Sequence, residues 1–236
     1  MIKLVSDENA PVIGIDGPAG CGKGLARHSV AEALGWNELD SGVLYRLVPF
    51  RAYSSGIKLT DIEGLTRLAE GLDVRMEGGR VFFGRRDITD EVRSDEMAEP
   101  ASIVAKIPEV RKALLKYQLN CRQKPGLVAD GRDMTTVVFK DSPYKIYITA
   151  DLDVRARWRL KDLKERNKSA DFDTVRRAMS IRDELEAKRD ESPLYQHPEA
   201  CLVDATNKTP LEVMWAILTH VSDKMHVAGK GDLITK

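Results

Sequence analysis

The chain has 236 residues, 37 Lys and Arg against 37 Asp and Glu, 42% hydrophobic and 31% charged. This composition excludes a disordered chain, and the balanced charge excludes a partner held by net charge, such as bulk nucleic acid or an anionic membrane. No apolar run approaches the ~20 residues of a membrane span, and Lys3, Asp7 and Glu8 interrupt any secretory core near the start. Cys21, Cys121 and Cys201 form no CxxC pair, so reduced thiols in the cytoplasm are expected rather than disulfides or a zinc site.

Residues 11–16 (PVIGID) form a short apolar, β-branched run, the signature of a buried parallel strand. Residues 23–34 then place Leu25, Ala26, Val30, Ala33 and Leu34 at helical spacing, with Gly35 where a helix C-terminus sits. Between strand and helix, Gly17-Pro18-Ala19-Gly20-Cys21-Gly22-Lys23-Gly24 fits GxxxxGK in the strand–loop–helix context that gives the motif meaning. Glycines let successive backbone N–H groups turn inward as an anion nest, the helix N-terminus adds positive potential, and Lys23 supplies a cation for β- and γ-phosphates. Where the pattern usually has a Mg²⁺-binding hydroxyl after the lysine, this chain has Gly24 and then Leu25. A Mg²⁺ ion is therefore expected to rest on substrate phosphates, water and carboxylates. Cys21 is read as a space-filler.

Residues 45–55 and 61–72 read as helical, and VRMEGGRVFFGRRDIT carries Gly78-Gly79 between two apolar runs, a hairpin signal. Helical patterns resume over 95–124, with breaks expected near Pro100 and Pro108. Further strands are expected at 126–129, 145–149 and 201–203, so strands alternate with helices as in a parallel sheet covered on both faces. The last helix, 211–225, is expected to bury Leu211, Met214, Trp215, Leu218, Val221 and Met225 on one stripe.

Two clusters, Asp40-Ser41-Gly42-Val43-Leu44-Tyr45-Arg46 and Asp130-Gly131-Arg132-Asp133-Met134, are expected at the carboxyl edge of the sheet, where open α/β sheets bind ligands. Arg46 and Arg132 suit a second phosphate, and Asp130 suits a water-mediated Mg²⁺ ligand. Residues 151–189 hold 12 Lys and Arg against 9 Asp and Glu, including Arg155, Arg157, Arg159, Arg182 and Arg189. They read as two charged helices, a lid that would close over transferring phosphates and exclude water. No basic stripe with interleaved aromatics appears, so nucleic-acid binding is not expected.

IDGPAGCGKG, LDSGVLYR, ADGRDMTTVVF and RDELEAKRDESPL resemble the bacterial cytidylate (CMP) kinases, over about residues 12–218. DSGxxYR and DGRDMxTVVF carry most of that specificity. The resemblance implies an α/β fold: a P-loop three-layer sandwich with a central parallel sheet, an inserted nucleoside-monophosphate-binding lobe and a helical lid. It divides the chain into a core (11–40, 126–150, 200–225), an acceptor region at 41–125 with a hairpin-containing insert at about 71–95, a lid at 151–192, and flexible tails at 1–10 and 226–236.

The implied reaction is ATP + (d)CMP → ADP + (d)CDP in a cytoplasmic monomer, with ATP on Gly17 to Leu25 and with Mg²⁺. By position, Ser41, Arg46 and Arg132 would hold the CMP phosphate beside Tyr45, and Ser102, Arg111 and Asp133 would read the cytosine edge. Arg182 and Glu186 match the ribose side, and Arg159 and Arg189 match lid arginines. Lys23, Asp130, Arg132, Arg159, Arg182 and Arg189 make the catalytic set. Four positions depart from the family: Leu25 for Ser or Thr, Glu186 for Asp, Trp158 for Arg and Thr135 for Gly. Two alternatives stand beside this reading: a kinase for UMP, dTMP or AMP, and a nucleotide-binding regulator with weak catalysis.

Overall fold

The computed structural model describes residues 10–227. The chain divides into two compact units. One takes Gly35–Asp130 with the segment ending at Val12, and the other takes Ile13–Leu34 with the chain from Gly131 onward.

β1 (Val12–Asp16), which from Ile13 onward opens the second unit, is buried at every position, as its apolar, β-branched run requires. α1 (Lys23–Leu34) follows and ends at Gly35, whose φ of 64° is the left-handed conformation that stops a helix. After Gly131 come a π-helical turn (Met134–Val138), β7 (Tyr144–Thr149), α7 (Leu152–Glu165), α8 (Phe172–Ala187), β8 (Cys201–Asp204) and α9 (Pro210–Val227). β1 pairs in parallel with β7, and β7 with β8. α7 and α8 meet over Ala156, Val175 and Met179, flanked by Leu152, Leu160, Leu163, Ala170 and Phe172.

The first unit holds β2 (Asn37–Asp40), α2 (Ser41–Ser54), α3 (Ile62–Glu70), β3 (Val74–Glu77), β4 (Arg80–Phe83), β5 (Arg86–Asp87), α4 (Thr89–Arg93), α5 (Ala98–Val104), α6 (Pro108–Asn120) and β6 (Leu127–Gly131). β2 runs parallel to β6, with Asp40 opposite Asp130 at their carboxyl ends. β3 and β4 form the expected hairpin, its turn made by Gly78 and Gly79 at φ 56° and 73°. β5 adds a third antiparallel strand to it. The α/β class with a central parallel sheet is the one expected.

Four details differ from the sequence reading. β2 was not expected, because NELD is mostly polar and only Leu39 is buried. α2 begins at Ser41 rather than Tyr45, since the Asp40 side chain accepts from the Val43 N–H and caps the helix. Pro100 does not break a helix: it lies in the first turn of α5, where a missing N–H costs nothing, and the break falls just before Pro108, the first residue of α6. In α9 the buried face is Val213, Ile217, Leu218, Val221 and Met225, whereas Leu211 and Trp215 are exposed. At the called tails, Ala10 is buried and α9 extends to Val227; the rest of both lies outside the described residues.

Candidate active site

The phosphate loop hangs between the carboxyl end of β1 and the first turn of α1. Gly17, Gly20 and Gly22 have φ of 153°, 73° and 91°. A Cβ on Gly17 would lie 2.0 Å from the Ile148 carbonyl oxygen, so the loop can sit this close to β7 only with glycine there. The buried Cys21 donates through Sγ to the same oxygen at 3.3 Å, which anchors the loop to β7. Lys23 is buried, and its Nζ donates to the Pro18 carbonyl at 2.6 Å, so the cation is folded back over the loop. Leu25, in the first turn of α1, is 52% exposed and offers no hydroxyl.

Arg155, grouped by sequence with the lid arginines, is buried and committed to structure. It donates to the Ala19 carbonyl at 3.0 Å, the Ala150 carbonyl at 2.9 Å and Asp183 Oδ2 at 2.7 Å, joining phosphate loop, α7 and α8. Arg157 lies over the Phe172 ring, 5.8 Å from its centroid, and Trp158 is exposed. Arg159 pairs with Asp162 on its own helix, and Arg189 donates to the Ser192 carbonyl at 2.9 Å.

The structure brings Arg132, Arg182 and Glu186 together. One carboxylate oxygen of Glu186 accepts from Arg132 Nε, and the other accepts from Arg182 Nε at 2.9 Å. Burial pushes the Glu186 carboxyl up, but the two guanidinium groups outweigh it and hold the group at about 2. Asp133, next in the chain, is buried.

The remaining sequence-predicted residues lie in the first unit. Asp130, the last residue but one of β6, lies opposite Asp40 and is buried. Ser41 is buried at the start of α2, and Arg46 donates to the Ser94 carbonyl at 2.8 Å and the Val92 carbonyl at 3.3 Å. Arg111 sits over the Tyr45 ring, 5.6 Å from its centroid. Ser102 is exposed and donates to the Ala98 carbonyl at 3.1 Å.

Sequence reasoning missed several supporting groups. Asp16 and Lys145 are buried charges beside the turn that follows Arg132 and Asp133. Arg93 pairs with Asp40 at 2.8 Å and ties α4 to the capped end of α2. An acidic residue closing an apolar strand, and a lysine near the start of one, were the available signals for Asp16 and Lys145.

A glycine nest with an inturned lysine at the head of a helix, between a buried strand and that helix in an α/β fold, defines a P-loop phosphotransferase. The chain matches the cytidylate kinase family over residues 13–223 and belongs to it. It is 44% identical to the cytidylate kinase of Bordetella bronchiseptica over 209 residues, covering 89% of this chain and 94% of that protein. It is 43% identical to the cytidylate kinase of Stutzerimonas stutzeri over 220 residues, covering 91% and 96%.

Proposed function

We propose that the chain transfers the γ-phosphoryl group of ATP to CMP and dCMP, giving ADP with CDP or dCDP. The observation that carries this is the phosphate loop, with its glycine φ values and buried Lys23, in a chain matched to cytidylate kinases over 13–223. The CMP phosphate oxygen attacks the γ-phosphorus and ADP leaves, so the protein's work is alignment and charge neutralisation. Lys23 moves from the Pro18 carbonyl to the phosphates. Arg132, Arg159, Arg182 and Arg189 neutralise the transferring group, with residues 151–192 as the lid.

On the acceptor side, Ser41, Arg46 and Arg132 take the CMP phosphate beside Tyr45, and Arg182 with Glu186 takes the ribose. Ser102, Arg111 and Asp133 read the base: cytosine offers an amino donor, a ring-nitrogen acceptor and a carbonyl acceptor, which a carboxylate and a guanidinium complement. Uracil reverses two of those positions and leaves buried polar groups unpaired, so UMP is disfavoured. Asp130, a buried carboxylate at the carboxyl end of β6, would hold a Mg²⁺ ion through water, with substrate phosphates supplying most of its ligands, and the ion would neutralise their charge. The same reading makes the chain a cytoplasmic monomer with a core (11–40, 126–150, 200–225) and an acceptor region (41–125).

The test is ADP release with ATP and Mg²⁺ against CMP, dCMP, UMP, AMP and dTMP. Turnover of CMP and dCMP, lost in both Lys23→Ala and Asp133→Ala, is expected. Faster turnover of UMP, AMP or dTMP would move the acceptor assignment, and ATP binding without turnover would make the chain a nucleotide-binding regulator.

A further inference from the structure

Asp16 ends β1 and immediately precedes the phosphate loop, yet its side chain accepts hydrogen bonds from the turn that follows Asp133. It is fully buried, and both carboxylate oxygens are occupied. Oδ1 accepts from the Met134 N–H at 2.9 Å; Oδ2 accepts from the Thr135 N–H at 2.8 Å and from Thr135 Oγ1 at 2.6 Å. A buried carboxylate with three donors is fixed in orientation, because each lost bond would leave a charge poorly solvated.

The segment it holds is the π-helical turn Met134–Val138, which starts directly after Arg132 and Asp133. The other side of the turn is held by Lys145, also buried, whose Nζ donates to the Thr135 carbonyl at 3.2 Å and the Lys140 carbonyl at 2.6 Å. Thr135 is thus gripped through its N–H and hydroxyl by Asp16 and through its carbonyl by Lys145. Packing leaves the turn little room to shift, since a Cβ on Gly14 would stand 3.0 Å from Thr135 Cγ2. The phosphate loop has its own anchors: Gly17 and Cys21 against the Ile148 carbonyl, and Arg155 on the Ala19 carbonyl.

We propose that Asp16, acting through Thr135 and seconded by Lys145, is the positioning residue that sets Arg132 and Asp133 for the acceptor nucleotide. The proposal rests on the cytidylate kinase reading. It makes Asp16 distinct from the phosphate-loop residues beside it: its loss should displace the acceptor side and spare the donor side, because the loop keeps its anchors on Ile148 and Arg155.

The experiment is steady-state kinetics of the full chain with CMP and ATP varied separately, for wild type, Asp16→Asn and Thr135→Val. Asparagine keeps the shape of Asp16 but replaces one acceptor oxygen by an N–H₂ group. The expected result is a CMP KM raised tenfold or more with the ATP KM within twofold of wild type. Thr135→Val removes only the hydroxyl, so it should raise the CMP KM about threefold, again with the ATP KM unchanged, even if Asp16→Asn fails to fold. A merely structural role would lower kcat through the active fraction and leave both KM values alone; that outcome, or equal rises in both, overturns the proposal. Wild type that does not use CMP at all overturns the cytidylate kinase reading, and this proposal with it.

Discussion

The surroundings of β1 with helices α7 and α8, and the surroundings of the hairpin, hold charge in different ways. In the first, buried or half-buried charged groups each serve several partners: Asp16 accepts three hydrogen bonds, Arg155 donates three, and the half-buried Glu186 bridges two guanidinium groups. On and around the hairpin, Arg67–Glu63, Arg75–Glu77, Arg80–Asp87 and Arg86–Glu91 pair one to one at the surface. Buried ionic networks cost desolvation and lose several kcal/mol when one partner is removed, about 3–5 in measured cases, whereas exposed pairs contribute about 0–1. The contrast separates charges that set geometry from charges that keep a surface soluble.

The largest expected effect breaks that contrast at its centre. Lys23→Ala should lower kcat by about 10²–10³, the loss typical when a preorganised transition-state donor is removed, and a melting curve beside wild type separates that loss from unfolding. Stopped or coupled ADP-release assays at saturating ATP and CMP measure it. A loss below tenfold would mean that the loop backbone alone carries the phosphate chemistry.

Glu186 and Asp16 sharpen the comparison through acid stability, with opposite signs. Glu186 sits at about 2 against an ordinary 4.5, so its contribution is present above pH 4.5 and is lost as pH falls toward 2. That shift corresponds to about 3 kcal/mol. Asp16 is raised by burial to about 6 from 3.8, with its Thr135 and Met134 hydrogen bonds opposing and Asp133 adding to the rise. It therefore binds more protons folded than unfolded between those values, and its contribution falls as pH rises from 3.8 through 6. Urea midpoints between pH 3 and 7 should show Glu186→Gln less stable at pH 7 with a flatter acid limb, and Asp16→Asn without the decline between pH 4 and 6. Glu186→Asp, one methylene shorter, should lose one arginine and change the CMP to dCMP ratio.

The sequence made the donor side legible and the acceptor side only in part, for a physical reason. A phosphate cradle needs glycines at fixed offsets between a strand and a helix, so Gly17 to Lys23 declare themselves locally. The hairpin is equally local, since Gly78 and Gly79 meet the φ > 0 requirement of a two-residue turn. Glu186 bridging Arg132 and Arg182 joins residues up to 54 positions apart, and Asp16 holding Thr135 spans 119. No spacing rule encodes such pairs. Arg155 shows the same limit from the other side: on a helix of exposed arginines it reads as a lid charge, and only the fold buries it against Ala19 and Asp183. Misplacing Leu211 and Trp215 on the buried face of α9 came from a stripe that fits helical spacing but is offset from the true one through Val213 and Ile217.

A middle-sized effect is expected at Leu25. Because this side chain is half exposed, replacing it costs little packing, and Leu25→Thr restores a hydroxyl to the first turn of the loop helix. One added hydrogen bond to a charged phosphate is worth about 1.5–3 kcal/mol at most, so kcat/KM for ATP should rise by roughly tenfold. An unchanged value would mean that Leu25 is compensated by the backbone N–H groups of the nest.

The smallest effect belongs to the hairpin side. Arg67 and Glu63 pair four residues apart on α3, with side chains 63% and 83% exposed, and both keep full access to water. Solvent screens the attraction and the long side chains lose rotamer freedom to hold it, so the pair nearly breaks even. Arg67→Ala should therefore leave the melting temperature within about 1 °C and kcat unchanged, and 0.5 M salt should not alter that difference. A shift of several degrees would show that this surface charge belongs to a network like those of Asp16, Arg155 and Glu186, and the division between the two regions would no longer hold.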